Sequence, residues 1–411
     1  MQKFIITMLG EKDHGKSTLI GNLLISTGST TEARIAEVKK ASGSKRFEPA
    51  HILDSFSEER EQEMTIDTTR AELVYKNAIL ELIDVPGHLE LIKNMMSGAS
   101  NSDIAILMVS VKKDEGFRPQ TKRHIFLSSM FGVKALVVAI NKMDFVNYDK
   151  SIFEKTKEDI SKYLQSINFK KPVAFVPISA YDNQNLISKS KKIPWYTGKP
   201  LIDTVRYFAE VYSKNTSSKK GLRIFVQDSV DINGDTTIFG LLYNGKVRTN
   251  ETIRVEPDKL TGKIEKLYVK GKKVSYANEG TNVAIVLHKD MKIEKGSVIY
   301  GNNEKPHKTG SFSAKIFMIK NFNTKSARKF TIKISNNNIA IKKIKINRIF
   351  SPISAVNVVY DSFAIVPANN VAYAEISLAK PYPVEKYADY SELGRFAIYE
   401  NENFVGVGII E

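Results

Sequence analysis

The chain has 411 residues, 42% hydrophobic and 26% charged, with no cysteine and a formal net charge of +16. That length allows two or three domains with sizeable cores, and the absence of cysteine excludes disulfides, thiolate metal sites and cysteine nucleophiles and predicts a cytoplasmic protein. No apolar run is long enough to span a bilayer, so no membrane partner is expected, and the basic balance suits a polyanion such as RNA.

The first residues, Met1 to Thr7, lack a small-residue cleavage site and read as a first strand. Five short apolar runs rich in Val and Ile follow one another along the first half: Phe4–Leu9, Ala78–Ile83, Ile104–Val109, Ala135–Ile140 and Val173–Ile178. Helical patterns follow them, as at Gln120–Met130 and Ser151–Gln165. Strands alternating with helices predict an α/β domain, a mostly parallel sheet with helices on both faces. The polar stretch Ser213–Lys220 reads as a linker. Beyond it come short alternating strands, Arg223–Gln227, Thr237–Leu242, Val283–His288 and Ser297–Tyr300, separated by turn residues such as Asn233-Gly234 and Asn244-Gly245. That rhythm predicts a small β-barrel. A second connector, Gly301–Gly310, leads to another strand-rich stretch. The expected domains are residues 1–212, an α/β nucleotide domain, then two all-β barrels at 221–303 and 311–411.

Gly10 to Thr18 reads G-E-K-D-H-G-K-S-T and matches the phosphate-loop pattern G-x-x-x-x-G-K-[ST]. Glycines let the backbone wrap closely, so the amides from Asp13 and His14 through Gly15, Lys16, Ser17 and Thr18 can turn toward phosphate oxygens. Lys16 supplies a point charge for the β- and γ-phosphates, Ser17 a hydroxyl for Mg²⁺, and the helix that starts there its positive end. Asn141-Lys142-Met143-Asp144 follows an apolar strand, at the edge where ligands bind in such sheets. Asp144 can accept two hydrogen bonds from guanine, a donor pair adenine lacks, so GTP and GDP are the expected ligands and an ATPase or kinase is disfavoured. Ser179-Ala180 completes that pocket. Asp84-Val85-Pro86-Gly87-His88 follows another strand. Asp84 is placed to hold Mg²⁺ through water, Gly87 to sense the γ-phosphate, and His88 to orient a water. Thr65, in the polar segment before the next strand, is the second hydroxyl for the metal, and such segments order around a γ-phosphate.

Taken together, Gly10–Thr18, Glu59–Gln62 with Thr65–Asp67, Asp84–His88 and Asn141–Asp144 resemble the translational GTPase superfamily. Within it the chain is similar to elongation factor 1-alpha and to the regulatory GTPase subunit of ATP sulfurylase. The resemblance runs the whole length, with further matches at Ile193–Gly198 and Leu393–Phe396. It implies a GTPase domain with two β-barrels, His88 as the residue that positions the hydrolytic water, and partners that accelerate hydrolysis or exchange nucleotide. Gln120–His124 and Val138–Tyr148 favour the sulfurylase branch, whose partner is a separate catalytic ATP sulfurylase subunit. The alternative is a translation factor acting with tRNA or the ribosome. Aminoacyl-tRNA carriers hold Gly-Arg-Val-Glu-[Ser/Thr]-Gly in the second domain; here Gly240–Gly245 lacks the arginine and glutamate. Glu63-Met64 replaces the family's Gly-Ile beside Thr65. Between Lys320 and Arg348 there are nine basic residues and no acidic one, and Lys343 and Lys345 alternate with isoleucines as on one face of a strand.

Overall fold

A computed structural model describes residues 1–41, 48–52, 69–84, 92, 104–212, 221–232, 234–257, 259–287, 291–304, 306, 308–325, 330–334, 337–358 and 365–411. Thr65, Gly87, His88, Glu63-Met64 and the 213–220 linker lie outside them. Among the described residues, no helix is long and apolar enough to cross a membrane. The chain divides into two compact units, one holding the α/β sheet and the other both barrels.

The α/β unit is built on six strands: β1 (Gln2–Leu9), β2 (Thr69–Tyr75), β3 (Ala78–Asp84), β4 (Ile104–Ser110), β5 (Ala135–Asn141) and β6 (Val173–Pro177). Their order across the sheet is β2-β3-β1-β4-β5-β6. All neighbours are parallel except β2, which runs antiparallel on the β3 edge. The five apolar runs of the sequence are thus β1 and β3 to β6. Strand β2 is not one of those runs: Ala71 and Leu73 are buried but Glu72 and Val74 are exposed, so it offers no continuous apolar stretch. By contrast β4 and β5 are buried at all seven positions, as parallel strands covered on both faces must be.

The helices are α1 (Lys16–Ser26), α2 (Glu32–Ala41), α3 (Pro119–Met130), α4 (Lys150–Ser166) and α5 (Leu201–Tyr212). Helix α5 buries Leu201, Ile202, Val205, Phe208 and Ala209, a spacing that lines one helical face against the sheet. Helix α4 starts at Asp149, whose carboxylate accepts the Ser151 amide at 2.6 Å, a side-chain N-cap. Because β1 lies between β3 and β4, the chain leaves neighbouring strands in opposite directions there, and the loop after β1 opens over the carboxyl edge of the sheet.

In the second unit each barrel closes on itself. Strand Thr252–Glu256 pairs with both Leu260–Val269 and Val298–Gly301, so the first sheet becomes a ring of six strands. Strand Phe330–Ile334 does the same between Asn337–Ser351 and Arg395–Glu400 in the second. Phe225, Val298 and Tyr300 of the first barrel belong to the core cluster of the second, so the two share apolar packing.

Arg223 holds that seam. Its guanidinium pairs with Glu304 and, at 2.8 Å, with Glu385, and lies over the rings of Tyr300 (4.2 Å) and Tyr390 (4.5 Å). Burial pulls its pKa down, but the two carboxylates outweigh that and leave it raised. With 8% of the side chain exposed, removing the cation leaves the Glu385 and Glu304 carboxylates without their counter-charge at the seam, Glu304 keeping the Leu222 and Gly301 amides. Arg223→Met should therefore cost about 3 kcal/mol, read as a lower urea midpoint of the barrel unit; an unchanged midpoint would show the seam does not depend on it.

Candidate nucleotide site

The phosphate loop joins β1 to α1 and is a tight backbone turn. Gly10 and Gly15 have φ of +141° and +92°, and at each a Cβ would collide, at 2.8 Å from the Met108 carbonyl and at 2.6 Å from Asn141 Nδ2. Only glycine is tolerated at both, for conformation and for space. The first hydrogen bond of α1 runs from the Leu19 amide to the Gly15 carbonyl at 2.9 Å. Among the described residues, the amides of Gly15, Lys16, Ser17 and Thr18 meet no acceptor, and α1 has no side-chain N-cap. Four unsatisfied donors on the positive end of a helix make an anion site.

Lys16 folds back over this loop, its ammonium donating to the carbonyls of Gly10 (3.1 Å) and Glu11 (3.0 Å). Burial lowers its pKa from the ordinary 10.5, only partly offset by Asp84, Asp13 and Glu11, so an incoming phosphate relieves the desolvated cation. Asp84, the last residue of β3, is largely buried. Its charge is the largest one opposing the effect of burial on Lys16. Ser17 is half-buried, and its hydroxyl and the buried Asp84 carboxylate are hard oxygen donors of the kind that fit Mg²⁺.

Asp13 adopts a left-handed φ of 66° in the exposed tip of the loop. His14 is turned inward: its Nδ1 donates to the Met108 carbonyl at 3.0 Å, and its own amide reaches the Glu11 carbonyl at 3.4 Å. Burial pushes its pKa below the ordinary value, so the ring is neutral and shapes the loop from below.

Asn141 closes β5, opposite Ser110 at the end of β4. Its Nδ2 donates to the His14 carbonyl (2.8 Å) and its Oδ1 accepts the Ala180 amide (2.8 Å). Asn22 of α1 donates to the Ala180 carbonyl at 2.5 Å. The phosphate loop and the Ser179-Ala180 loop are therefore held at a fixed separation. Ser179 is buried and its hydroxyl accepts the Asp182 amide at 3.1 Å. Lys142 takes a left-handed φ of 64°, which turns the chain into the 3-10 segment Met143–Val146. Met143 anchors that segment in the core, and Asp144 is left half-buried at the rim. Burial raises the pKa of the nearby Tyr148 hydroxyl, and the Asp144 charge helps to raise it.

Two contributors were not evident from the motifs. Glu115, in the loop after β4, pairs with Lys142 at 2.6 Å. Its place just beyond a strand's carboxyl end, beside the strand that carries Asn141, was the available signal. Trp195 donates to the Tyr148 carbonyl at 2.9 Å, and Tyr148 donates to Asp182 at 3.2 Å, bracing the loop that follows Asp144.

A glycine-bounded phosphate loop and an Asn-Lys-Met-Asp loop, tied by the Asn141 amide, define a P-loop GTPase. Residues 1–212 match the family model for the elongation factor Tu GTP binding domain, and residues 311–411 match the GTP-eEF1A C-terminal domain-like family. Elongation factor 1-alpha of Methanothermobacter thermautotrophicus is 31% identical over 98% of this chain and 96% of its own length. That of Archaeoglobus fulgidus is 32% identical over the same shares. The GTP-bound GTPase-like domain of Ski7 from S. cerevisiae aligns with all of this chain and 97% of its own, at 17% identity and a TM-score of 0.58, a likeness of fold. The chain belongs to the elongation-factor family of translational GTPases, a G domain followed by two six-stranded antiparallel barrels. It is a GTP hydrolase that binds GTP and GDP with Mg²⁺.

The Glu115 link makes the site acid-sensitive. Burial pushes this carboxyl up, but Lys142, with Ser110 and Lys112, outweighs it and brings it from 4.5 down to about 2. A depressed carboxyl stabilises the fold above its unfolded pKa, and that contribution is lost as pH falls from 4.5 toward about 2. Glu115→Gln should flatten the stability loss across this window by about 1 kcal/mol, solvent screening allowed for. Urea unfolding of both proteins at about pH 5 and about pH 3 measures it; parallel losses would remove the link.

Proposed function

We propose that this GTPase serves translation, acting with tRNA or the ribosome. One observation carries the reading: identity of 31% and 32% to elongation factors 1-alpha spans nearly the whole chain, barrels included. In a GTPase switch the G domain keeps time and the appended domains deliver the output, so likeness along the barrels bears on partners.

The second barrel supports it through charge. Lys342, Lys343, Lys345 and Arg348 are all exposed on strand Asn337–Ser351. Register shifts between Ile341 and Lys343 and between Ile346 and Arg348 interrupt its pairing with Val371–Pro383, so the basic side chains do not form one strict alternating row. Lys345 lies 4.0 Å from Glu375, and the Arg348 guanidinium 3.8 Å over the Tyr373 ring. Such a surface suits phosphate backbones and salt-dependent binding.

The aminoacyl end is a different matter. Tyr243 stands where the carriers' glutamate falls; its hydroxyl is 2.6 Å from Ser391 Oγ and its ring 5.3 Å from that of Phe225. Leu241 replaces the arginine. The reading is therefore of a factor that meets RNA without the carriers' grip on an amino acid. The sulfate-activation reading has no comparable support. Gln120–His124 is the first turn of α3, with Thr121 and His124 buried, and Val138–Tyr148 is β5 with the base loop.

In this reading Lys16 and the amides of Gly15 to Thr18 hold the phosphates, and Asn141, Lys142, Asp144, Ser179 and Ala180 frame the guanine. Ser17, Thr65 and Asp84 hold Mg²⁺, which neutralises phosphate charge when bound. Gly87 senses the γ-phosphate and His88 orients the attacking water. His88→Ala should keep GTP affinity and slow hydrolysis by at least about tenfold in single turnover; unchanged turnover would remove His88 from that role.

Ribosome or tRNA binding should weaken steeply with salt, and Lys343→Glu with Lys345→Glu should lower affinity and reduce the salt slope by about 2. Binding indifferent to both would count against the reading. GTP-dependent release of pyrophosphate from ATP and sulfate, with a co-purifying catalytic subunit, would restore the sulfurylase alternative.

A further inference from the structure

The phosphate-loop pattern asks nothing of its second residue, yet here it is Glu11, a carboxylate inside a loop that receives an anion. Left free, that charge would repel phosphate. The structure shows where it goes. The Glu11 carboxylate accepts both the amide (3.2 Å) and the hydroxyl (3.1 Å) of Thr121, the third residue of α3. Thr121 is fully buried. Helix α3 has Arg118 at its N-cap with no side-chain cap of its own, and Pro119 as its first residue. The cap that a neighbouring Ser or Asp ordinarily provides thus comes from 110 residues earlier in the chain. The positive end of α3 offsets the carboxylate's charge.

The main chain of the same residue closes the loop. The Glu11 carbonyl accepts the Lys16 ammonium at 3.0 Å and the His14 amide at 3.4 Å. Gly10, before it, lies against the Met108 carbonyl. The first leg of the loop is therefore pinned to β4 through Gly10 and to α3 through Glu11, and Lys16 rests on the carbonyls of those two residues.

We propose that Glu11 is a positioning residue of the nucleotide site: docked on the first turn of α3, it fixes the carbonyls that aim Lys16 and keeps its own charge away from the phosphates. The acceptor oxygen, with the helix end it binds, carries the effect. Glutamine at this position keeps the acceptor, alanine removes it, and aspartate is one methylene too short to reach Thr121.

The proposal rests on residues 10–18 being the phosphate loop, and the two fail differently. Equilibrium titration of the full chain with fluorescent GDP and GTP analogues separates them. Lys16→Ala should abolish binding of both; retained affinity there overturns the loop assignment itself. Glu11→Ala and Glu11→Asp should each weaken both nucleotides about tenfold, and Glu11→Gln should return to within about twofold of wild type. Thr121→Val, which keeps the amide and loses the hydroxyl, should give an intermediate loss that adds nothing to Glu11→Ala in the double variant. With Lys16→Ala inactive in binding, wild-type or tighter binding by Glu11→Ala, a Glu11→Gln variant as weak as alanine, or additive losses in the double variant overturns the positioning role. Should Glu11→Ala fail to fold, the Thr121→Val and Glu11→Gln titrations decide by the same criteria.

Discussion

One buried side-chain amide sets the distance between the two halves of the nucleotide site. Asn141, 2% exposed, donates from its nitrogen to the phosphate loop and accepts at its oxygen from the Ser179-Ala180 loop. A buried amide left unpaired costs about 1–3 kcal/mol for each abandoned group, so neither loop can drift without breaking a bond that water is not there to replace. Gly15 takes part in the same constraint, since any side chain there would occupy the place of the Asn141 nitrogen. Asn141 is thus a spacer between the phosphate loop and the Ser179-Ala180 loop.

Around that spacer the site is braced by carboxylates that carry no chemistry. Glu115 holds Lys142 beside the base loop, and Glu11 holds the phosphate loop on α3. Both contacts converge on the stretch from Lys112 to Thr121, so the segment after β4 serves as a strut for both loops. Burial lowers the pKa of both Lys16 and His14: the lysine is a desolvated cation held on two loop carbonyls, while the histidine is kept neutral and donates to the sheet. The barrel unit obeys the same economy of polar groups, with one arginine serving two carboxylates and two tyrosine rings where the barrels meet.

Much of this was legible from residue types and spacing. The glycines, lysine and serine of Gly10–Ser17 are read locally, because a phosphate loop is a single turn between a strand and a helix. The strands β1 and β3 to β6 were legible because parallel strands buried on both faces are unbroken apolar runs. The edge strand β2 was not, since only Ala71 and Leu73 of its seven residues are buried and no unbroken apolar run marks it. The lysines of Asn337–Ser351 are exposed as their spacing suggests, but two register shifts spoil the regular ladder, and no local signal marks a bulge. Gln120–His124 and Val138–Tyr148 favour the sulfurylase branch, whereas the relatives that span the chain are elongation factors 1-alpha.

By itself the sequence determined the class of fold, the order of domains, and the ligand, since a phosphate loop and an Asn-Lys-Met-Asp loop are short chemical devices complete within a few neighbours. Only the tertiary structure decided how those devices are held. Glu11 meets Thr121 across 110 residues, Asn141 meets the His14 carbonyl across 127, and Arg223 meets Glu385 across 162. No periodicity encodes such pairings. They exist because the sheet order brings the ends of β1, β4 and β5 side by side, and because the barrels share one apolar seam in which a charge is stable only when answered.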